Sequence, residues 1–260
     1  SFREGETIAV QVTFNESVFV FGTPQLTLET GASDAKVDYS SGSGSALLTF
    51  SYTVAAGHAS DDLDCTAADA LAVNGGTIRN AVGDDAFLTL PAPGASGSLG
   101  DGSSVKIDTA APELTDGTLG RNNGFVDVTF AEGIFDAGSG GLGAAAFSVE
   151  FAQNGGTATD VTITGLTQTD GNPLVGGETT VRVKLALTGV PSGVETVRIG
   201  PADATSVFDL AGNALASDAL TPVLTLRERP YVTGVASDPA SGSFREGETI
   251  AVQVTFNESV

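Results

Sequence analysis

The sequence predicts an all-β chain of antiparallel β-sandwiches in tandem, and three observations carry that expectation. Apolar and polar residues alternate with period two over many short runs. Clusters of Ser, Gly, Asn, Asp and Pro separate the runs. Residues 1–18 return letter for letter as residues 243–260, which sets a repeat period of 242 residues. Alternation marks strands with one buried face, turn-rich spacers join them, and exact repetition marks an array.

Taken in order, the runs 7–14, 25–29, 46–55, 126–130, 180–187 and 195–199 read as half-buried strands. Helical periodicity is nearly absent. One or two short helical turns are expected, in the Ala-rich stretch 142–147 and in 61–71. Many short strands with Gly-rich turns argue for sandwiches rather than a helical or mixed fold.

A weaker repeat lies inside the period. Val12-Thr13-Phe14-Asn15-Glu16-Ser17-Val18-Phe19 aligns with Val128-Thr129-Phe130-Ala131-Glu132-Gly133-Ile134-Phe135. Further on, Ile78-Arg79-Asn80-Ala81-Val82-Gly83-Asp84 aligns with Val207-Phe208-Asp209-Leu210-Ala211-Gly212-Asn213. Two landmarks in the same order predict two homologous sandwiches per period. Phe14 and Phe130 are 116 residues apart, and Phe130 and Phe256 are 126 apart, both ordinary immunoglobulin-like domain lengths.

Pro-containing joints at 107–112 and 226–230 place the boundaries. The first domain is expected over 1–111 and the second over 112–229. Residues 230–260 are read as the start of the next repeat of the first domain. Joints this short cannot act as flexible coils. Residue 1 corresponds to residue 243, which follows 230–242, so the first domain is expected to lack its opening strand. Residues 230–260 are then expected to find their partners in a neighbouring copy.

Composition narrows the function classes. A hydrophobic content of 41% supports packed cores. The net charge is −21, from 32 acidic against 11 basic residues, and no basic cluster exists to hold nucleic acid. No run approaches the ~20 apolar residues of a membrane span. An acidic surface attracts cations instead. Cys65 has no partner and reads as a small core residue. His58 is the only histidine, too little for a zinc site or a serine triad, and no Walker-type loop is present. The chain is therefore not read as an enzyme.

The residues resemble bacterial immunoglobulin-like tandem repeats of giant secreted and cell-surface proteins, of the cyanobacterial swimming-motility and calcium-dependent adhesin types. The resemblance is densest over roughly the first 100 residues: Gly5-Glu6-Thr7-Ile8, the Val12–Val18 string, Gly22-Thr23-Pro24-Gln25-Leu26-Thr27-Leu28, Leu48-Thr49-Phe50-Ser51-Tyr52 and Asn74-Gly75-Gly76-Thr77-Ile78. The second domain shares Phe130-Ala131-Glu132 and Asp209-Leu210-Ala211-Gly212-Asn213. It implies a secreted sandwich repeat that carries calcium at loops and joints. Three departures weaken the inferred calcium site: Cys65 stands where an aromatic is common, Asn80 where an aspartate is common, and Asp84-Asp85 where Gly-Asn is usual.

Calcium is the one cofactor with support in the residues, since it takes six to eight oxygens from carboxylates, carbonyls and amides. Glu16, Asn80, Asp84 and Asp85 form the candidate set in the first domain. Glu132, Asp209 and Asn213 form the matching set in the second. Asp108, Glu113 and Glu228 at the joints form another. Each turn residue also has a plain structural explanation, because Asp and Asn suit Asx turns and left-handed positions. The run Asp61-Asp62-Leu63-Asp64 is equally well explained as a solvated cluster at a helix start.

The function these features imply is a structural extender, or stalk, in an extracellular, cell-surface bacterial protein. Ten-residue strands at ~3.3 Å per residue give ~33 Å per sandwich and at least ~70 Å per period. Its partners are neighbouring repeats of the same or identical chains, with any surface or glycan ligand bound by other domains. An alternative is a self-assembling filament, sheath or surface-layer subunit. A glycan-binding module is the third reading.

Overall fold

The computed structural model describes residues 1–228 and 230–257, so Arg229 and the last three residues of the 230–260 segment lie outside the described residues. The fold is all-β and antiparallel, as the alternation requires. Two compact units divide it. The first comprises Ser1–Pro112, Glu132–Ser139 and Val207–Leu215. The second comprises Glu113–Ala131, Gly140–Ser206 and Ala216–Val260. Two short segments from the sequence of the second repeat thus belong to the first unit.

The first unit carries β1 (Thr7–Phe21), β2 (Gln25–Leu28), β3 (Ala35–Ser41), β4 (Ser45–Thr53), β5 (Ala59–Ser60), β6 (Leu71–Ala72), β7 (Thr77–Arg79) and β8 (Ile107–Asp108). Six of them form one sheet in the order β6-β2-β3-β4-β1-β7, and β5 pairs with β8. Register follows the alternation. Ile8 faces Tyr52, Val10 faces Phe50 and Val12 faces Leu48 across β1 and β4. Residues opposed in this way share a face, so one face of the pair is continuously apolar. Phe50 and Leu48 are fully buried and cluster with Leu26, Leu28 and Ile78 from the other strands and with Leu63 from the loop after β5. Breaks in register between Thr13 and Val18 in β1, and between Tyr39 and Ser41 in β3, mark where these strands bend.

The expected helix over 61–71 does not form. Asp64 is buried, and its carboxylate accepts hydrogen bonds from the Cys65 amide (2.7 Å) and the Gly94 amide (3.0 Å). Burial would raise its pKa, but the donors at Gly94, Cys65, Ser98 and Gly100 outweigh that and hold it below the ordinary value. The residue read as part of a solvated cluster is instead the anchor of the 94–100 loop. Among the described residues, helical structure is confined to Leu99–Gly102 and a 3-10 turn at Ala144–Ala146, the latter inside the expected 142–147 stretch. Cys65 is buried as expected, and burial, then the charge of Asp64, pushes its thiol up to about 11.

The second unit adds β9 (Leu114–Leu119), β10 (Phe125–Ile134, which ends in the first unit), β11 (Phe147–Ala152), β12 (Asp160–Thr167), β13 (Glu178–Thr188), β14 (Thr196–Pro201), β15 (Leu224–Thr225), β16 (Val232–Asp238) and β17 (Ala251–Phe256). A four-stranded sheet in the order β12-β13-β10-β9 and a three-stranded sheet in the order β11-β14-β15 make the sandwich. Val126, Val128, Val181 and Val183 of the first sheet, and Val197 and Ile199 of the second, are buried. Phe130 and Phe147 meet across the layers with ring centroids 6.2 Å apart. β16 and β17 form a separate two-stranded ribbon.

A buried carboxylate organises the loops of this sandwich. Glu195 has no exposed surface, and it accepts the amides of Thr157 (2.7 Å), Ala158 (2.8 Å) and Ser192 (2.9 Å). The 153–157 turn approaches so closely that a Cβ on Gly156 would stand 2.2 Å from the Glu195 carboxyl. Burial opposes ionisation here, yet the amides of Ala158, Glu195 itself, Ser192 and Thr157 bring its pKa down to about 2. A depressed pKa stabilises the fold above the ordinary glutamate value of 4.5 and loses that contribution as pH falls toward 2. Glu195→Gln is expected to cost about 3 kcal/mol at neutral pH in denaturant unfolding followed by circular dichroism, because amides are left facing an NH2 group. The gap from wild type should narrow as pH falls through that window, and a gap that stays constant would show that the ionised carboxylate is not what holds the loops.

Candidate metal centre

Three carboxylates converge in the first unit. Asp108 on β8, Glu132 on β10 and Asp209 in the turn after Val207 each bring an oxygen within 4.8 Å of the other two. Among the described residues this is the one such group of metal-ligating side chains. Asp209 is 2% exposed, and its partners are half-buried. Glu132 arrives there by phase. It continues the alternate set Val126, Val128 and Phe130 along β10, so it points with the buried residues of its strand.

Asp209 is fixed by its own turn. The Asn213 amide and the Asn213 Nδ2 donate to its two carboxylate oxygens, each at 2.8 Å, while the Asp209 amide donates back to the Asn213 carbonyl at 3.0 Å. Gly212, at φ +88°, supplies the left-handed position that closes the turn. Asn213 Nδ2 also donates to the Asp108 carbonyl at 2.9 Å, which ties the joint strand β8 to the turn.

The charges oppose one another. Burial first, then Asp209 and Asp108, push the Glu132 carboxyl above its ordinary value, and Lys106 counters weakly. Lys106 Nζ lies 3.8 Å from Asp108 Oδ2 and 3.5 Å from Asp61 Oδ1, so it is shared with a fourth acid. The donor set is carboxylate oxygen, with no sulfur or imidazole, and that suits a hard cation such as calcium.

The matching turn of the first repeat is built alike but charged differently. Asn80 donates its amide to the Asp84 carbonyl (3.0 Å), and the Asp84 amide donates to Asn80 Oδ1 (2.9 Å). Asn80 Nδ2 reaches both Asp84 Oδ2 (3.3 Å) and Glu16 Oε1 (3.4 Å). The Asp and Asn have changed places relative to Asp209 and Asn213. An amide donor therefore faces Glu16 where a carboxylate faces Glu132. Asp85 is taken by Arg79 at 2.7 Å.

The structure thus joins Glu132, Asp209 and Asn213 with Asp108, which the sequence placed in a different set. It does not add the remaining joint residues. Glu113 lies in the second unit and uses its carbonyl to accept the Ala131 amide. Glu228, also in that unit, accepts a hydrogen bond from Asn257 Nδ2. Sequence reasoning missed the structural roles of Asp64, Glu195 and Lys106, since neither spacing nor neighbours set them apart from surface charges. A comparison with protein-family models finds no match, and no curated protein matches the chain.

A raised carboxyl pKa destabilises the fold above that pKa and ceases to do so as pH falls below the ordinary value. Glu132→Gln should therefore raise the stability of the chelator-treated protein at pH 7, by on the order of 1 kcal/mol. The advantage should vanish by about pH 4, where wild-type Glu132 is itself protonated. Thermal unfolding across that range reads the effect, and a destabilised variant at pH 7 would mean that the carboxylate is held by donors rather than strained by its neighbours.

Proposed function

We propose that the chain is a structural extender: a tandem immunoglobulin-like repeat of a large secreted, cell-surface bacterial protein, stiffened by calcium at Asp108, Glu132 and Asp209. The observation that carries this reading is the convergence of Asp108, at the end of the first repeat, with Glu132 and Asp209 of the next. A cation held by all three ties β8, at the end of the first repeat, to the end of β10 and the turn at Asp209, all within the first unit. Three carboxylates within 4.8 Å repel one another without a counter-charge. With it, the same repulsion becomes affinity.

The 18-residue exact repeat supports length as the purpose of the chain, because an array multiplies reach. Acidic faces keep neighbouring stalks apart and soluble.

Calcium titration against excess chelator tests the stalk mechanism. Millimolar calcium should raise the unfolding midpoint saturably, by several degrees, as expected when a ligand binds only the folded state. Asp209→Asn should abolish the rise, and Glu16→Ala should leave it intact, since Asn80 already satisfies Glu16. Identical curves with and without calcium would leave packing alone to stiffen the joint, and equal loss in both variants would place the ion elsewhere.

A further inference from the structure

The string Asn-Gly-Gly-Thr occurs twice, at 74–77 and 154–157, and a third Asn-Gly step lies at 123–124. Both four-residue strings fold into the same tight turn. Asn74 and Asn154 are left-handed (φ 49° and 51°), and so are Gly75 and Gly155 (φ 77° and 80°). The second glycine closes each turn: the Gly76 amide donates to the Val73 carbonyl and the Gly156 amide to the Gln153 carbonyl, each at 2.8 Å. Two successive left-handed positions select Asn-Gly.

The same choice of residues makes the turn reactive. Asparagine is a thermally labile side chain, and a glycine after it has no Cβ to shield its amide nitrogen. Asn154 is exposed, and among the described residues no acceptor takes the Gly155 amide proton. Asn123 differs on each count. It is 1% exposed, its Nδ2 donates to the Arg227 carbonyl at 2.7 Å, and its Oδ1 accepts the Arg227 amide at 2.9 Å. The Gly124 amide donates to Asn122 Oδ1 at 3.1 Å.

We propose that Asn154 is a site of spontaneous deamidation and that its conversion loosens the loops held by Glu195. The Gly155 nitrogen, its proton given up to solvent hydroxide, attacks Asn154 Cγ. The N–Cγ bond forms, the Cγ–Nδ2 bond breaks, and Nδ2 takes a proton from water and leaves as ammonia. Water then opens the cyclic imide at one of its two carbonyls, giving aspartate or isoaspartate. No oxidant, reductant or enzyme takes part, so the change runs one way with the age of the chain.

The consequence comes from what Asn154 holds. Its Nδ2 donates to the Val194 carbonyl at 3.0 Å and to Thr196 Oγ1 at 3.3 Å, gripping the strand on both sides of Glu195. Aspartate removes that donor and turns a carboxylate oxygen toward the Val194 carbonyl. Isoaspartate also lengthens the main chain by a methylene, in a turn where Gly156 has no room beside Glu195 even for a Cβ. Either product draws the Thr157 and Ala158 amides away from Glu195 and leaves a buried carboxylate short of donors. Asn74 reacts alike, but its Nδ2 holds the Thr23 carbonyl, at 3.1 Å, outside the Glu195 network.

Ageing the unaltered chain at mildly alkaline pH, followed by peptide mass mapping, tests the chemistry. Products at Asn154 and Asn74 should accumulate at least about ten-fold faster than at Asn123, whose groups are freed only by local opening. Equal rates at the three steps, or an Asn154 that stays intact while Asn74 converts, would overturn the proposal. Thermal unfolding tests the consequence. Asn154→Asp should lower the midpoint by several degrees, and by much less when Glu195→Gln is already present, whereas Asn74→Asp should act equally in both backgrounds. A loss from Asn154→Asp that ignores Glu195 would detach the site from that network and sink the second half of the proposal. Asn154→Gly accepts the left-handed position and has no amide to lose, so it should remove much of the midpoint loss seen on ageing. Ageing losses unchanged in that variant would place their cause elsewhere.

Discussion

The constraint on which the rest depends is that a strand with one apolar face must have that face covered. The repeated string shows it directly. In β1, Val10 faces Phe50 and lies in the core, and in β17 the same valine, as Val252, is largely in water. Sequence is held constant between the two, so the difference belongs to what surrounds them. Each β-branched side chain brought from water to a packed interior contributes roughly 1.5–3 kcal/mol. The first string has that stabilisation from β4 and the strands beyond, and among the described residues the second pairs with β16 alone.

The same logic, applied to charge instead of apolar surface, sorts the acidic residues. A carboxylate removed from water needs donors or a cation. Glu195 and Asp64 have donors, and in both the donors outweigh burial and lower the pKa. Glu132 lacks that arrangement, faces two more acids, and is pushed the other way. Opposite shifts separate the two donor-held carboxylates from the cluster at Asp108, Glu132 and Asp209, in a chain where acidic residues are otherwise plentiful.

Much of the fold was legible in the sequence because strand periodicity is local. The alternation in 7–14 and 46–55 is enough to set Val10 and Phe50 inward, and the duplicated landmarks are enough to pair the turn at Asn80 with that at Asp209. The convergence of Asp108 with Glu132 and Asp209 was not legible as one set. It depends on where a joint strand lies against a turn about a hundred residues later, and no local pattern encodes that. Glu195 shows the same limit: in 195–199 it reads as the polar start of a strand, and only the folded 153–157 turn supplies its donors. The helix expected over 61–71 failed because Asp64 finds its partners across the loop at Gly94, where a helix start would leave the side chain in solvent.

The two Asx turns amount to a natural exchange experiment. Each has an Asp and an Asn four residues apart, each closes with a glycine at positive φ, and each makes the same backbone bonds. Only the order of the two residues differs. With asparagine first, the NH2 group points at Glu16, and the site is satisfied by its own hydrogen bonds. With aspartate first, the carboxylate faces Glu132, the Asn213 NH2 group bridges it to the Asp108 carbonyl, and Lys106, shared with Asp61, offsets only part of the charge of the three acids. Turn geometry is preserved while electrostatics are inverted. Placing the acid first in the turn beside Asp108, and the amide first in the other, gathers three carboxylates at one place in the first unit and leaves the Asn80 turn closed by its own amide donors.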